Sequence, residues 1–328
     1  MGVLSRLGLG RSQAPPRPLR HMVTLLPSFP HFRDYARDDS LDGIRINSAA
    51  VDDAELKAEF ALLANAKPSV PVYFDIKGRQ LRVTEVLPNT THLDVRLNHP
   101  VGVPTPTVVL FKAGADSALL QEVAEDGHRL IFAPGAKHGP KVEVKVGDSL
   151  HIRNPDLTVG GNQFTELEHR KLSLAKEAGF TRWFLSYVQN GRDVQEFLDL
   201  VGRHDEVCLK IEDPKGLQYV AGEFKKRDNL SLVLARGDLY VEVDRPHDIL
   251  WATRLVVERD PEAIVGSRLM LSMVNSKVPA CVDFSELAWL YDVGYRRFMV
   301  CDELCLKREL LDPVMNAMDA FRTAYAKA

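Results

Sequence analysis

No run of apolar residues in the 328-residue chain approaches the ~18 needed to cross a bilayer. A membrane-spanning helix and a membrane partner are therefore not expected. An excess of either charge is lacking too: 42 Lys and Arg stand against 45 Asp and Glu, a formal net charge of −3. That balance gives no reason to expect nucleic acid or an anionic lipid surface as partner. Cysteine is sparse. Cys208, Cys281, Cys301 and Cys305 form no CxxC pair, and no histidine lies near them at zinc-finger spacing. Unpaired, mostly buried thiols in a reducing cytoplasm are the expectation. Acidic residues are missing from the first twenty positions, which hold Arg6, Arg11, Arg17, Arg20 and the run Ala14-Pro15-Pro16-Arg17-Pro18. The start lacks a secretory apolar stretch, and Arg6 breaks the myristoylation pattern. A disordered leader over residues 1–20 is expected, with an organelle-targeting peptide as the alternative.

What is present is an ordinary globular composition, 45% apolar and 27% charged. From His21 onward, short apolar runs alternate with helical periodicity, the pattern of βα units and a parallel sheet. Met22–Leu26, Ile44–Asn47 and Val70–Asp75 read as the first three strands, with an alanine-rich helix near Asp52–Ala64. The rhythm then breaks. Between Val83 and Gly161 the pieces His92–Leu97, Thr107–Phe111, Leu130–Phe132, Lys141–Val146 and Ser149–Arg153 read as strands, and Asp116–Val123 as one short helix. Turn signals at Pro134-Gly135 and Gly147-Asp148 separate them.

After this insertion the alternation resumes. Thr165 and Glu168 form a capping box for a helix that Gly179 stops. Arg182–Tyr187 is strand four, followed by a helix over Asp193–Val201 that Gly202 ends. Val207–Glu212, Leu230–Ala235, Arg268–Met273 and Arg297–Val300 complete the strand count. The helices between and after them are His247–Val257, one opened by a capping box at Asp283–Glu286 and stopped by Gly294, and Lys307–Tyr325. Eight strands with intervening helices predict a (β/α)₈ barrel of the TIM type over 21–82 and 162–328. A β-rich lid domain over 83–161 is inserted after strand three.

Chemistry in such barrels gathers at the C-terminal strand ends. The polar residues there are Arg45 and Asn47, Asp75 and Lys77, Lys210 and Glu212, Arg236 with Gly237 and Asp238, and Ser267 with Arg268. Lys210 and Glu212 stand two apart, so both side chains leave the strand on one face. Glu212 and Asp238 on neighbouring strands suit Mg²⁺ or Mn²⁺, with positions left for water and substrate. A metal so placed holds a 2-oxo acid and stabilises its enolate. Lys210 and Arg45 add positive charge beside a phosphoryl group or oxyanion. The bland alternative is a Lys210–Glu212 ion pair that closes the barrel, with Asp238 capping a turn.

In this order the motifs resemble those of the pyruvate kinase family. Gly43-Ile-Arg45-Ile-Asn47-Ser48-Ala49 stands where that family has Arg-Leu-Asn-Phe-Ser-His-Gly. Asp75-Ile-Lys-Gly-Arg-Gln-Leu-Arg82 is similar to its Asp-Thr-Lys-Gly-Pro-Glu-Ile-Arg, and Ser186-Tyr-Val-Gln189 with Asp193-Val194 to its Ser-Phe-Val-Arg and Asp-Val. Lys210-Ile-Glu212 with Gly216, and Ala235-Arg-Gly-Asp-Leu239, match the family's next two motifs. The resemblance implies Glu212 and Asp238 as metal ligands, Lys210 on the transferred phosphoryl group and Arg45 on phosphate. It also implies backbone amides around Arg236-Gly237-Asp238 for the substrate carboxylate, and a hydroxyl at Ser267 for proton delivery. Of the K⁺ site only Asn47 and Asp75 remain, because the family's Ser and His fall on Ala49 and Ala50, which also removes a nucleotide contact. Gln80 and Gln189 replace a Glu and an Arg of the family. Arg268 replaces a Gln beside the pocket and would read a second acidic group on the substrate. The chain ends after the eighth helix, where the family continues into a regulatory domain.

Three functions stay open. The first is a metal-dependent phosphotransferase acting on phosphoenolpyruvate, pyruvate or a related 2-oxo acid, with ADP or ATP as the second substrate. The others are a metal-dependent aldolase or lyase of the pyruvate barrel superfamily, and a non-catalytic ligand-binding barrel. A homo-oligomer follows from the resemblance. Trp251 and Trp289 read as core or helix–sheet packing, and Pro246-His247 as a helix start.

Overall fold

The structure is a computed structural model describing residues 18–89, 91–111, 114–134 and 143–326. Most of the expected leader, residues 1–17, lies outside that set, and Arg20 already opens the first strand. Sixteen strands are formed among the described residues. β1 (Arg20–Thr24), β2 (Leu41–Asn47) and β3 (Val72–Ile76) come first. β4 (Val83–Val86), β5 (Asp94–Leu97), β6 (Val101–Gly102), β7 (Thr107–Phe111), β8 (Asp116–Ala124), β9 (Arg129–Phe132), β10 (Leu150–Ile152) and β11 (Thr158–Val159) follow. β12 (Arg182–Leu185), β13 (Glu206–Ile211), β14 (Leu230–Ala235), β15 (Ile264–Gly266) and β16 (Arg297–Met299) complete the set.

β1, β2, β3 and β12 to β16 close into an eight-stranded barrel, every neighbouring pair parallel. Helices follow most of these strands, so the fold is the expected (β/α)₈ TIM barrel. The remaining strands lie between β3 and β12. Six form an antiparallel sheet in the order β10-β7-β8-β9-β5-β4, and β6 pairs with β11. This β-rich lid has a core of its own, built on Leu81, Val95, Leu97, Val109, Phe111, Leu120, Leu130 and Phe132.

Inside the barrel, period-two alternation sorts the strands into layers. Met22, Tyr73, Phe184, Cys208, Val233, Ile264 and Met299, one from each of seven strands, pack together. β2 contributes Gly43, where a Cβ would stand 2.8 Å from the Tyr73 ring. The missing side chain makes room for that tyrosine.

Several expectations are corrected. Arg268–Met273 is not strand seven. The strand is the three-residue β15 just upstream, and Ser267, Arg268 and Met270 take left-handed backbone angles in a turn that ends its run. Only Ala263–Gly266 is apolar enough to be buried between β14 and β16, too short a signal to stand out. Asp116–Val123 is not a helix but β8, paired with both β7 and β9, because sheet pairing overrides its weak local preference. Residues 143–146 form no strand, and Lys141 and Val142 lie outside the described residues. Asp283 does not start its helix. The helix is Cys281–Val293, and the Asp283 carboxylate accepts from the Ala280 amide (2.7 Å) and from the Ser272 hydroxyl, so it caps from the third position. Trp251 is not core: it is 56% exposed. By contrast, Trp289 packs against the core, and the Thr165–Glu168 capping box forms as read. All four cysteines are free, three buried and Cys281 exposed. Among the described residues no helix is long and apolar enough to cross a membrane.

One buried histidine sets an acid limit on this fold. His21 in β1 is fully buried with neither ring nitrogen hydrogen-bonded. Burial, aided by Arg322 and opposed by Asp38, lowers its pKa from 6.5 to about 4, and Asp319 lies 3.8 Å away. The folded state therefore prefers the neutral ring. The contribution is intact above pH 6.5 and is lost as pH falls towards 4, a cost of about 3 kcal/mol. Urea unfolding between pH 7 and pH 4.5 should show a smaller loss in His21→Leu than in the parent. Equal losses would mean that His21 is not the group that must charge.

Candidate functional site

Two residues beyond the packed barrel layer, the interior turns polar. The positions are Thr24 from β1, Arg45 from β2 and Asp75 from β3. Ser186 follows β12, and Lys210 ends the series on β13. All of these join one hydrogen-bonded network. Arg45 Nε donates to Asp75 Oδ2 (2.7 Å), and Nη1 donates to Thr24 Oγ1 (3.2 Å) and to Asp302 Oδ1 (2.8 Å). Lys77 Nζ donates to Asp75 Oδ2 (2.9 Å), and Ser186 Oγ to Asp75 Oδ1 (3.2 Å). Lys210 Nζ donates to Ser186 Oγ (2.9 Å) and lies 3.8 Å from Asp75. Burial alone would raise the Asp75 carboxyl, but Lys210, Lys77 and Arg45 outweigh it and hold the group well below the usual carboxylate range. Burial likewise pulls the Lys77 ammonium down, with Lys210 and Arg45 adding to it against Asp75.

One step further along β13 stands Glu212, fully buried. Its Oε2 accepts the Tyr187 amide (2.8 Å), while Oε1 lies 2.8 Å from Lys210 Nζ without a well-directed hydrogen bond. Asp238 lines the same cavity as Glu212, and the like charges of the two carboxylates disfavour ionising both. Burial raises Glu212, and His151 with Lys210 keeps Asp238 low against its own desolvation. The backbone here is unusual: Tyr187, Ser267 and Arg268 all have φ between +52° and +65°. Such conformations cost free energy and concentrate at functional sites.

The lid covers one side of these residues. From that side, Gln80 Nε2 lies 3.4 Å from Asp238 Oδ2, and His151 Nε2 lies 3.4 Å from Asp238 Oδ1. Between barrel and lid is a cavity of about 800 Å³, lined among others by Arg45, Asn47, Lys210, Glu212, Asp238 and Arg268.

Of the residues singled out from sequence, Lys210, Glu212 and Asp238 line one cavity. Gly237 and Ser267 line the same cavity, with a Cβ at Gly237 only 3.2 Å from the Ser267 Cβ. The Arg236 side chain points elsewhere, with Nη1 on Glu286 (2.7 Å) and Nη2 on the Ser267 carbonyl (3.0 Å). Arg268 reaches over the Tyr240 ring, 5.1 Å from its centroid. Arg45 lines the cavity, but its guanidinium is already engaged by Asp75 and Asp302. Asn47 donates to Asp302 (2.9 Å) and its Oδ1 accepts the Ala49 amide. The two residues expected at a K⁺ site are register partners on β2 and β3, and the charge of Asp75 is met by Arg45 and Lys77.

The residues not singled out from sequence are His151, Glu242 and Asp302. Asp302 stands just past β16, where the strand-end rule applied to the eighth strand would have found it. His151 sits in β10 and Glu242 in the helix after β14, 91 residues apart, and no local pattern links them. Among the described residues no group of three or more His, Cys, Asp or Glu side chains stands ready to hold a metal ion. Glu212 and Asp238 line one cavity, and Glu212 Oε1 is a buried oxygen without a hydrogen-bond partner. That oxygen-only pair fits Mg²⁺ or Mn²⁺ completed by water and substrate.

A closed parallel barrel carrying a β-rich lid, with a lysine and two carboxylates at its C-terminal face, defines a lidded TIM-barrel protein with a charged interdomain site. The comparisons refine that class. The chain is 26% identical over 293 residues to a pyruvate kinase of Methanocaldococcus jannaschii, covering 83% of this chain and 62% of that protein. It is 26% identical over 281 residues to one of Agrobacterium vitis (77% and 56%), and 25% identical over 281 residues to one of Thermoplasma acidophilum (79% and 49%). No family model matches the chain. The chain is similar to pyruvate kinases over about four fifths of its length, and it spans roughly half to three fifths of the length of the curated relatives it matches.

Proposed function

We propose that this chain is a divalent-metal-dependent phosphotransferase that acts on phosphoenolpyruvate, pyruvate or a related 2-oxo acid. The observation that carries the reading is the buried Lys210–Glu212 pair with Asp238 lining the same cavity, at the C-terminal ends of adjacent strands. Glu212 and Asp238 would hold Mg²⁺ or Mn²⁺, which supplies positive charge to an enolate when bound. Lys210 would stabilise the transferred phosphoryl group, placed by Ser186 and Asp75. First-turn amides at Gly237 and Asp238 would receive the substrate carboxylate, since the first amides of a helix lack intrahelical partners. Ser267 would hand a proton to the enolate carbon. Arg45 would act through Asp75, and ADP or ATP would enter from the lid side.

A second reading is favoured by one observation. Ala49 and Ala50 stand where the resemblance places nucleotide and cation contacts, and Arg45 is already committed to carboxylates. An aldolase or lyase would use the same enolate site without a nucleotide.

The test is calorimetric titration of Mn²⁺ into the protein with and without oxalate, a mimic of the pyruvate enolate. Each should tighten the other, and the effect should vanish in Glu212→Ala. A wild-type protein that binds no Mn²⁺ under reducing, chelator-free conditions would overturn both readings. Phosphoenolpyruvate turnover that requires ADP would favour the kinase, and oxo-acid cleavage independent of ADP the lyase.

A further inference from the structure

The turn after β15 puts two neighbouring side chains on one cavity. Continued as a strand, Ser267 and Arg268 would face opposite sides. Instead both take left-handed backbone angles, φ +65° and +62°, and both line the space between barrel and lid. Neither is glycine, so the turn carries strain of the kind that collects at binding sites. Arg268 is half-buried, and its guanidinium lies over the Tyr240 ring, 5.1 Å from the centroid. An aromatic face orients a cation without cancelling its charge.

Tyr240 belongs to the short helix Arg236–Glu242, three residues and about 4.5 Å of rise past Gly237. A second guanidinium meets the end of that helix from the lid. Arg153, just past β10 on the exposed rim of the cavity, donates through Nη2 to the Val243 and Asp244 carbonyls, both at 2.9 Å. Neither acceptor is ionised, so this arginine is fixed in place and keeps its charge. Arg45, Lys77 and Lys210 differ, since they lie against Asp75, Asp302 and Glu212. The cavity, about 800 Å³, has room for far more than a three-carbon acid.

We propose that Arg268 is a specificity-determining residue, and that the 2-oxo acid taken by this site carries a second carboxylate on, or one carbon beyond, its enolate carbon. This rests on the enolate site of the proposed function and narrows its substrate to 2-oxo dicarboxylates. Ser267 would face the enolate carbon, so whatever that carbon bears falls beside the next residue, Arg268. A carboxylate there meets the forked N–H donors that match its two oxygens, with Arg153 adding charge from the lid. A methyl group there would desolvate the guanidinium and give it nothing in return. The same cation therefore selects the dicarboxylate and rejects the monocarboxylate.

Calorimetric titration of the Mn²⁺-loaded full chain, without nucleotide, compares acids of equal chain length. Freshly dissolved oxaloacetate is set against 2-oxobutanoate, and 2-oxoglutarate against 2-oxopentanoate. In at least one pair the dicarboxylate should bind about tenfold tighter or more, the size of one charge-assisted contact. Arg268→Gln should abolish that preference and retain oxalate binding, since oxalate occupies the metal end alone. If that variant also loses oxalate, Tyr240→Leu takes its place: it removes the ring under the guanidinium and should reduce the preference, and an unchanged preference there overturns the inference. Equal affinity in both pairs, or a preference that survives in Arg268→Gln, overturns it and leaves the enolate site standing. So does an Arg268→Gln variant that weakens ADP binding while the acid preference stays, which assigns the arginine to the nucleotide. A wild-type chain that binds neither Mn²⁺ nor oxalate overturns the proposed function as well.

Discussion

Asp75→Ala is expected to lower the free energy of unfolding by about 3–5 kcal/mol, read from urea or guanidinium denaturation. Asp75 is fully buried at the centre of a cationic ring: Arg45 Nε at 2.7 Å, Lys77 Nζ at 2.9 Å and Lys210 Nζ at 3.8 Å. Arg45 retains Asp302, which is partly exposed, and Lys210 retains Glu212. Lys77 has no second carboxylate within ion-pair distance among the described residues, so most of the cost falls on a buried ammonium whose pKa burial already depresses. Asp75→Asn preserves shape and the Ser186 contact but not the charge, and should fall between wild type and alanine. A loss below about 1 kcal/mol for alanine would mean that the three cations find solvent or other partners, and that Asp75 is not the keystone of the polar layer.

How much of this was legible in the sequence varies with range. β7 and β14 were readable to the residue because each is a bounded apolar run flanked by turn signals. The Thr165–Glu168 capping box was readable because both partners lie within one turn. β15 escaped because three residues of strand are below any periodic signal, and the left-handed turn at Ser267 and Arg268 is set by the barrel around it. β8 escaped because its partners, not its own sequence, make it a strand. In the site, Lys210, Glu212 and Asp238 were visible from period two and from strand ends that neighbour each other. The saturation of Arg45 was not, since it depends on Asp302, 257 residues away. His151 and Glu242 were invisible for the same reason, because the lid and the barrel meet only in three dimensions.

Lys210→Met should separate holding the metal from turning over the substrate. Lys210 is buried, 2.8 Å from Glu212 and 2.9 Å from Ser186, and although burial works against its charge, Asp75 and Glu212 together raise its pKa. It therefore stays an ammonium, aimed at the space beside the two carboxylates. If it stabilises transferred charge, phosphoenolpyruvate turnover should drop about 10²–10³-fold, the size typical of losing one preorganised electrostatic donor. Mn²⁺ binding should survive or tighten, since the lysine competes with the ion for Glu212 Oε1. Methionine fills nearly the same volume, so packing is not the cause of any loss. Lys210→Arg should not rescue turnover, because a planar guanidinium cannot occupy the ammonium's place between Ser186 and Glu212. Turnover that persists in Lys210→Met, with Mn²⁺ affinity unchanged, would reduce the pair to an ion bridge closing the barrel. The chemistry would then have to be sought among the cavity's other cations, Arg268 first.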